Sequence, residues 1–404
     1  MLDRKSTLLL ACAAAICGVV LYVKQAPIFQ LPQFYAEEGK FFFADAYNDG
    51  WSSLFYTANG YFHVFPRLLA NLCLTLGVPY GLIPTVFVYA CLPVYFLLWL
   101  MIFTRLALPP VAKAFMVLAT ILVPLGNEIF MNQTNIQWVM TLIPVVLYCG
   151  EQPQATWRRL IDYAILILCV FTGPFVLFLF PVFLLAALLE KQVTRRAAFL
   201  AICLVATIIC AVSLSHFGSV DRIHGATKMT MYGYVQLAFR SYYFPLLSTW
   251  VDSVPEWAVV TLTIILPVIL ALLGRMVLKS GNRFAMVAFA AGLPLCAATL
   301  VSYGRAPALP SPFHNAIRNF YLPMVLLIWS LIAVTKFDRR HIAAWAVVFG
   351  WFVVQIPFIA ETRTMPDLNW KKYAERLATG QAMTIPITPA GWGLTLKEKP
   401  GRAP

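Results

Sequence analysis

The sequence predicts an all-α integral membrane protein with about eleven transmembrane helices. Three observations support this prediction: the composition, the length of the apolar runs and the placement of charge. Of the 404 residues, 61% are apolar and only 12% are charged, and the mean hydropathy is +0.77. Because a soluble domain carries about a quarter of charged residues, soluble enzymes and disordered chains are excluded.

A helix needs about 20 residues to cross a bilayer, and eleven apolar runs of the sequence have lengths near this value. The first follows Arg4 and Lys5, and no small-residue cleavage site comes after it. We therefore expect an uncleaved helix and not a signal peptide. The expected spans are residues 7–23, 84–104, 111–126, 136–149, 158–172, 174–189, 197–214, 257–274, 284–302, 320–335 and 342–360.

The charge distribution predicts the orientation of these spans. With the N-terminus inside, the inside segments hold 15 of the 30 basic residues but only five of the 17 acids. This excess follows the rule that cytoplasmic loops are rich in Lys and Arg, and an odd number of spans puts the C-terminus outside. No basic run exceeds two residues, so the net charge of +13 indicates topology and not nucleic-acid binding.

The long polar segments all fall on the predicted outer face, where we expect the chemistry to lie. The chain divides into a transmembrane domain at 1–360, with its first outer loop at 24–83, and an outer tail at 361–404. Apolar stretches 64–78 and 235–249 should lie along the membrane surface. A further crossing at 64–78 would reverse the side of every later loop and violate the positive-inside rule.

The first outer loop contains the most informative polar residues. Glu37 and Glu38 are adjacent, lie just beyond the first span and have aromatic neighbours. Adjacent carboxylates near apolar surface raise each other's pKa, which suits a general base. A bound Mg²⁺ or Mn²⁺ would use Glu37, Glu38 and Asp45. The simpler interpretation, acids at a helix start, is disfavoured by the aromatic flanks.

The acidic pair is followed by Gly, by Phe and then by GYFHVFPRL at 60–68, which enters an amphipathic stretch. This pattern resembles the first periplasmic loop of GT-C-type membrane glycosyltransferases, such as aminoarabinose transferases and protein O-mannosyltransferases. The resemblance implies a GT-C-like multi-span fold, a polyprenyl-phosphate sugar as donor, and Glu37 or Glu38 as catalytic base or metal ligand. Many relatives have Asp in this pair, so Glu at both positions leaves open which residue is the base.

Other polar residues on the outer face are candidates for substrate binding. Amides and aromatic rings bind sugars, and arginine binds phosphate with a fork of donors. Helix caps, interfacial tryptophan and snorkelling arginine are the simpler interpretations. The candidates are His63, Arg67, Asn135, Gln137, Trp138, Arg305, His314 and Arg318.

The tail is predicted to form an amphipathic helix over 370–377, then an extended segment with Pro386 and Pro389, folded back over the outer face. Taken together, the sequence predicts an inverting glycosyltransferase in the bacterial inner membrane, with a periplasmic site and C-terminus and a cytoplasmic N-terminus. Its partners would be the bilayer, a polyprenyl-phosphate sugar and a glycan or glycolipid acceptor. The alternatives are an O-antigen polymerase or ligase, and a lipid-sugar flippase or transporter.

Overall fold

A computed structural model describes residues 3–123, 126–217, 230–247, 253–303, 317–335, 342–355 and 365–399. These residues are mostly helical, in agreement with the predicted all-α membrane class. The strands are β1 (Thr57–Ala58), β2 (Tyr61–Phe62), β3 (Met383–Ile387) and β4 (Trp392–Leu396), which pair as two antiparallel hairpins. The α-helices are α1 (Arg4–Gln30), α2 (Ala44–Asp49), α3 (Val64–Thr75), α4 (Ile83–Tyr89), α5 (Cys91–Arg105), α6 (Pro110–Ile121), α7 (Gly126–Ile129), α8 (Ile136–Met140), α9 (Leu142–Cys149), α10 (Thr156–Val170), α11 (Val176–Leu189), α12 (Ala197–Phe217), α13 (Met231–Leu247), α14 (Glu256–Ser280), α15 (Arg283–Tyr303), α16 (Tyr321–Val334), α17 (Ile342–Gln355) and α18 (Trp370–Leu377).

Within the described ranges, four helical stretches are long and apolar enough to cross a membrane, and each lies at a predicted span. They are Arg4–Gln30, Tyr80–Arg105, Ala197–Phe217 and Glu256–Ser280. Several helices at other predicted spans are shorter: α6, for example, has 12 residues and α11 has 14. At 1.5 Å per residue such helices reach about 20 Å, less than the about 30 Å of a hydrocarbon core. The number of eleven spans therefore stays a prediction.

The first helix continues into the segment predicted as the first outer loop, 24–83, and ends at Gln30. Pro27 lies inside α1, and Gln25 has non-helical backbone angles, so the helix kinks near its C-terminal end. The buried Lys24, which directly precedes Gln25, donates from Nζ to the carbonyl oxygens of Ile121 (3.1 Å) and Val123 (2.7 Å). These carbonyls lie at the C-terminal end of α6, where backbone acceptors lack helical partners. The contact fixes the kinked end of α1 against α6.

The first outer loop and the tail share one apolar core. Phe34 and Phe43 from the loop pack edge-on against Trp370 of α18, with ring centroids 4.8 and 6.0 Å apart. A β-carbon on Gly39 would lie 3.0 Å from Leu394 Cδ2 of β4, so the hairpin touches the loop backbone. Helix α18 occupies the predicted residues, and the predicted extended segment is the β3–β4 hairpin. The tail is therefore folded onto the loop.

The apolar stretch predicted to lie along the surface at 64–78 contains the amphipathic helix α3, which ends at Thr75. Its buried face includes Arg67 and Asn71, whereas Leu72 and Leu76 on the other side are exposed. The second such stretch, 235–249, coincides with most of α13. A hydrogen bond of 2.8 Å from Ser213 Oγ to the Gly60 carbonyl places the end of α12 against the first loop.

Candidate functional site

The Glu38 carboxylate is buried where the first loop meets the segment before α8. The residue is 1% exposed, and its Oε2 accepts a 2.8 Å hydrogen bond from the Tyr35 backbone amide. Its Oε1 accepts from the backbone amide of Gln133. Burial raises the pKa of Glu38 to about 8, and Glu37 acts in the same direction, while the backbone donors oppose both. Both oxygens of this carboxyl are thus held by the backbone.

Glu37 has a looser set of contacts than Glu38. Its Oε1 accepts one long hydrogen bond, 3.4 Å, from Nδ2 of Asn59 in the β1–β2 turn. Ala36, the residue before it, has a φ of 47°, a left-handed conformation that side-chain-bearing residues rarely adopt. The Ala36 amide donates to the Thr388 carbonyl of the tail. The tail therefore helps to hold the backbone that directs the acidic pair.

A buried polar segment, residues 128–138, faces the acidic pair. Asn132, Gln133, Thr134 and Asn135 are all at most 5% exposed. Thr134 donates to the carbonyl of Tyr35, next to the acidic pair (3.2 Å). Buried polar groups inside a membrane protein are costly and mark functional paths, so this segment belongs to the candidate site.

Arg318 reaches the same segment from the start of α16. Its Nη1 pairs with Oε1 of Glu128, and Asn132 and Asn135 donate to the Glu128 carbonyl at 2.7 Å. The Arg318 side chain is 31% exposed, whereas that of Glu128 is 5% exposed. The arginine is therefore held by a buried acid while its outer side stays accessible.

His63 and Arg67 lie one helical turn apart at the start of α3 and are both buried. Arg67 Nη1 pairs with Asp45 Oδ2 at 2.8 Å, and its Nε and Nη2 make no hydrogen bond to the part of the chain that the structure describes. The His63 ring packs against Phe42 and Tyr61, with centroids 5.0 and 4.7 Å apart. Burial lowers the pKa of His63 to about 3, and the charge of Arg67 acts in the same direction. His63 is therefore neutral at physiological pH.

A cavity of about 590 Å³ lies between the first loop and the end of α12. Its walls are mostly apolar. The polar groups that line it are the Asp45, Ser213 and Thr57 side chains and the Tyr56 hydroxyl. Burial raises the pKa of Asp45, although the Arg67 hydrogen bond opposes this. The apolar lining residues are Phe55, Tyr56, Phe62, Ile208, Ile209, Val212 and Phe217. The cavity thus combines a long apolar wall with an acidic end.

The residues proposed for sugar binding occupy this region in different ways. Gln137 and Trp138 are buried, and among the described residues Gln137 Oε1 and Trp138 Nε1 have no hydrogen-bond partner. Trp138 packs on Phe175 with centroids 4.4 Å apart. The Asn135 side-chain amide instead donates a hydrogen bond to the Glu128 carbonyl within the protein. Gln137 and Trp138 therefore retain polar atoms for a ligand, and Asn135 supports the segment.

The three acids predicted to hold a cation are not brought together. Asp45 pairs with Arg67, and Glu38 is bonded by backbone amides. In the described part of the chain, no group of three or more His, Cys, Asp or Glu side chains has the arrangement of a metal site. Arg305 and His314 lie outside the described residues.

Two contributors were missed in the sequence. Glu128 is the only acid in the sequence between residues 106 and 150 and lies near the end of a predicted span. An isolated acid there is costly without a partner, so its position could have indicated a role. Thr388 gave no such signal, because it pairs with Tyr35 across more than 350 residues of chain. A comparison of the whole chain with known protein families, curated proteins and solved structures finds no match.

Proposed function

We propose that the protein is a glycosyltransferase that moves a sugar from polyprenyl phosphate to a hydroxyl group of a glycan or glycolipid. The observation that carries this proposal is the buried segment 128–138, which contacts Glu38 through Gln133 and Arg318 through Glu128. A proton acceptor and a phosphate-binding cation are the two groups that such a transfer needs. One buried polar segment here connects Arg318 with Glu38, the neighbour of the proposed proton acceptor Glu37.

Glu37 is the proposed catalytic base. Both Glu38 oxygens accept from backbone amides, whereas Glu37 has one long contact with Asn59 and retains capacity for a substrate hydroxyl. The hydroxyl proton would move to Glu37 as the oxygen attacks the anomeric carbon. The bond from that carbon to the phosphate oxygen would break, and polyprenyl phosphate would leave with the electron pair. A single displacement inverts the anomeric configuration.

Of the two candidate arginines that the structure describes, Arg67 and Arg318, Arg318 is the better placed to bind the leaving phosphate. Its side chain is 31% exposed, whereas that of Arg67 is fully buried behind Asp45. A cation at this point stabilises the charge that develops on the leaving group, which is usually the largest catalytic contribution. Glu128 would orient the guanidinium without closing its outer side.

The large cavity supports a lipid-linked substrate. Its apolar wall on α12 belongs to a helix that is long enough to cross a membrane, so an isoprenoid or acyl chain could enter from the bilayer. Asp45 at its polar end would repel phosphate but can accept hydrogen bonds from sugar hydroxyls. We therefore assign this cavity to the lipid-linked acceptor. The β1–β2 hairpin, which bears Thr57 and Phe62 on the cavity, also carries Asn59 to Glu37.

In this proposal the site faces the periplasm of a bacterial inner membrane. The support is the charge asymmetry of the sequence and the grouping of the long loop and the tail at one end of the bundle. The tail would stiffen the loop so that the acidic pair is preorganised for transfer.

The experiment is a transfer assay with purified protein, a panel of polyprenyl-phosphate sugars and membrane glycolipid acceptors. Wild type should transfer one sugar with inversion, and Glu37→Gln should lower kcat by at least about a hundredfold, the size expected for loss of a general base. Glu375→Gln, an exposed acid of the tail, is the matched control and should keep full activity. Transfer by Glu37→Gln at the wild-type rate would contradict the proposal.

A further inference from the structure

The end of the bundle opposite the acidic pair also buries charge. Helix α12 touches the first loop through Ser213, and its other end begins at Ala197, directly after Arg196. Its 21 residues span about 30 Å, the thickness of a hydrocarbon core. Arg196 therefore lies about one membrane thickness from the candidate catalytic site and takes no part in the proposed transfer.

Arg196 is buried, and no acid of the described ranges pairs with it. The residue is 3% exposed, and its guanidinium stacks on the Tyr148 ring at 5.2 Å. Arg283 lies 5.1 Å from the same ring but is paired with Glu190 at 2.7 Å. The Arg196 Nε is buried and makes no hydrogen bond within the described residues. A buried guanidinium is costly without an acceptor, so this arrangement favours an anion.

A small cavity adjoins this arginine. Its volume is about 20 Å³, enough for one oxygen atom of the size of a water molecule. Arg159 and Arg196 both line it, and the acid that lines it, Asp162, is paired with Arg105 at 2.8 Å. The cavity therefore has a surplus of positive charge and admits one oxygen of a larger anion whose remainder stays at the mouth.

The cavity lies at the depth of lipid headgroups. It is formed at the first turn of α12, which is a candidate span, and at the start of α10. On α10, Leu160 is 62% exposed and Ile161 is 49% exposed, so aliphatic side chains face outward next to Arg159. Basic pockets between helices at this level are suited to anionic lipid headgroups.

We propose that this cavity binds the phosphate group of an anionic phospholipid, with one phosphate oxygen between Arg196 and Arg159. The acyl chains lie along the exposed aliphatic side chains of α10. The exposed apolar surface beside the mouth favours a lipid over free phosphate, which would gain nothing from it. This binding site is independent of the proposed sugar transfer, and its role is to anchor the α10–α12 end of the bundle.

The test measures lipid binding by the full chain, purified in detergent and stripped of lipid. Phosphatidylglycerol and phosphatidylcholine are titrated separately, and bound lipid is counted by native mass spectrometry and by the shift of the melting temperature. Arg196→Gln and Arg159→Gln should each weaken phosphatidylglycerol binding about tenfold, equivalent to one lost charged contact. Arg195→Gln removes the same charge from the exposed neighbouring residue and should weaken binding less than about twofold.

Three results would overturn the proposal. Equal weakening by all three variants would indicate general attraction of anionic lipid to a basic surface. Equal binding of phosphatidylcholine would remove the role of net charge. The same stabilisation by sodium phosphate alone would show that the site takes a free anion. If Arg196→Gln does not fold, Arg159→Gln decides the matter, because that side chain is exposed and its loss leaves the core intact.

Discussion

The two ends of the helical bundle differ in how their buried charged groups are partnered. At the loop end, Glu38 is enclosed by backbone amides, Arg67 is paired with Asp45, and the tail covers the loop that carries the acidic pair. At the opposite end, Arg196 packs on an aromatic ring and has no acidic partner within the described residues, and short turns connect the helices. A buried acid suits proton transfer, whereas a buried arginine without an acid suits an anion. The proposed catalysis therefore belongs to the loop end, and the proposed lipid anchoring to the opposite end.

The largest expected effect tests whether the tail is integral to the loop end. Trp370→Ala should destabilise the protein by about 3–5 kcal/mol, because it removes an aromatic ring from the core shared by tail and loop. It also removes the hydrogen bond from Trp370 Nε1 to the Tyr80 carbonyl (2.9 Å). Trp157→Ala, at the opposite end and 59% exposed, is the control, with an expected loss below about 1 kcal/mol. Unfolding in detergent measures both, and equal losses would contradict a shared core.

The next effect compares an ion pair from each end. Arg67→Gln should cost about 3 kcal/mol, because it leaves Asp45 beside a buried, apolar wall without its cation. This loss is at the lower end of the about 3–5 kcal/mol expected for breaking a buried ion pair, because the Asp45 side chain is 25% exposed. Arg105→Gln breaks a pair whose two side chains are 21% and 13% exposed, and about 1 kcal/mol is expected. A larger loss for Arg105→Gln in the same unfolding measurement would reverse the comparison.

The smallest effect is a pH dependence of stability at the loop end. The pKa of Glu38 is raised to about 8, so the folded protein retains a proton that the unfolded chain loses above about 4.5. Stability should therefore fall as the pH rises from 4.5 to 8. The pKa of His63, lowered to about 3, costs stability only as the pH falls below 6.5. Between pH 6.5 and 8, Glu38 acts without this opposing contribution.

Melting temperatures of wild type and Glu38→Gln across pH 6.5 to 8 measure this contribution. Wild type should lose stability as the pH rises, and the variant should lose less. Parallel curves for the two proteins would show that Glu38 does not carry a proton in the folded state.

Apolar runs predicted the helices well, because burial in lipid imposes the same requirement on every spanning segment. They predicted the starts of α1, α12 and α14 closely, but α1 and α14 continue to Gln30 and Ser280, past the predicted ends at 23 and 274. The sequence predicted that the tail folds back, but not which residues of the first loop it contacts. The contact between Phe34 and Trp370 depends on packing between residues more than 300 positions apart. Likewise, Arg196 was counted as one of many inside charges, and only the structure separates it from its exposed neighbour Arg195.

For the site, the sequence identified the acidic pair but could not rank its members. The ranking depends on which carboxylate meets the amides of Tyr35 and Gln133, and Gln133 lies 95 residues away. For the phosphate, the sequence predicted Arg67, Arg305 or Arg318 without ranking them. The pairing of Arg67 with Asp45 and its complete burial favour Arg318 instead.

The ranking of Glu37 and Glu38 is the central claim, and steady-state kinetics of the two Gln variants test it most directly. Glu37→Gln should lose at least about a hundredfold in kcat and keep the wild-type melting temperature, as expected for a general base. Glu38→Gln should alter stability and its pH dependence more than kcat. The opposite result, with transfer lost in a stable Glu38→Gln protein and retained in Glu37→Gln, would contradict the account.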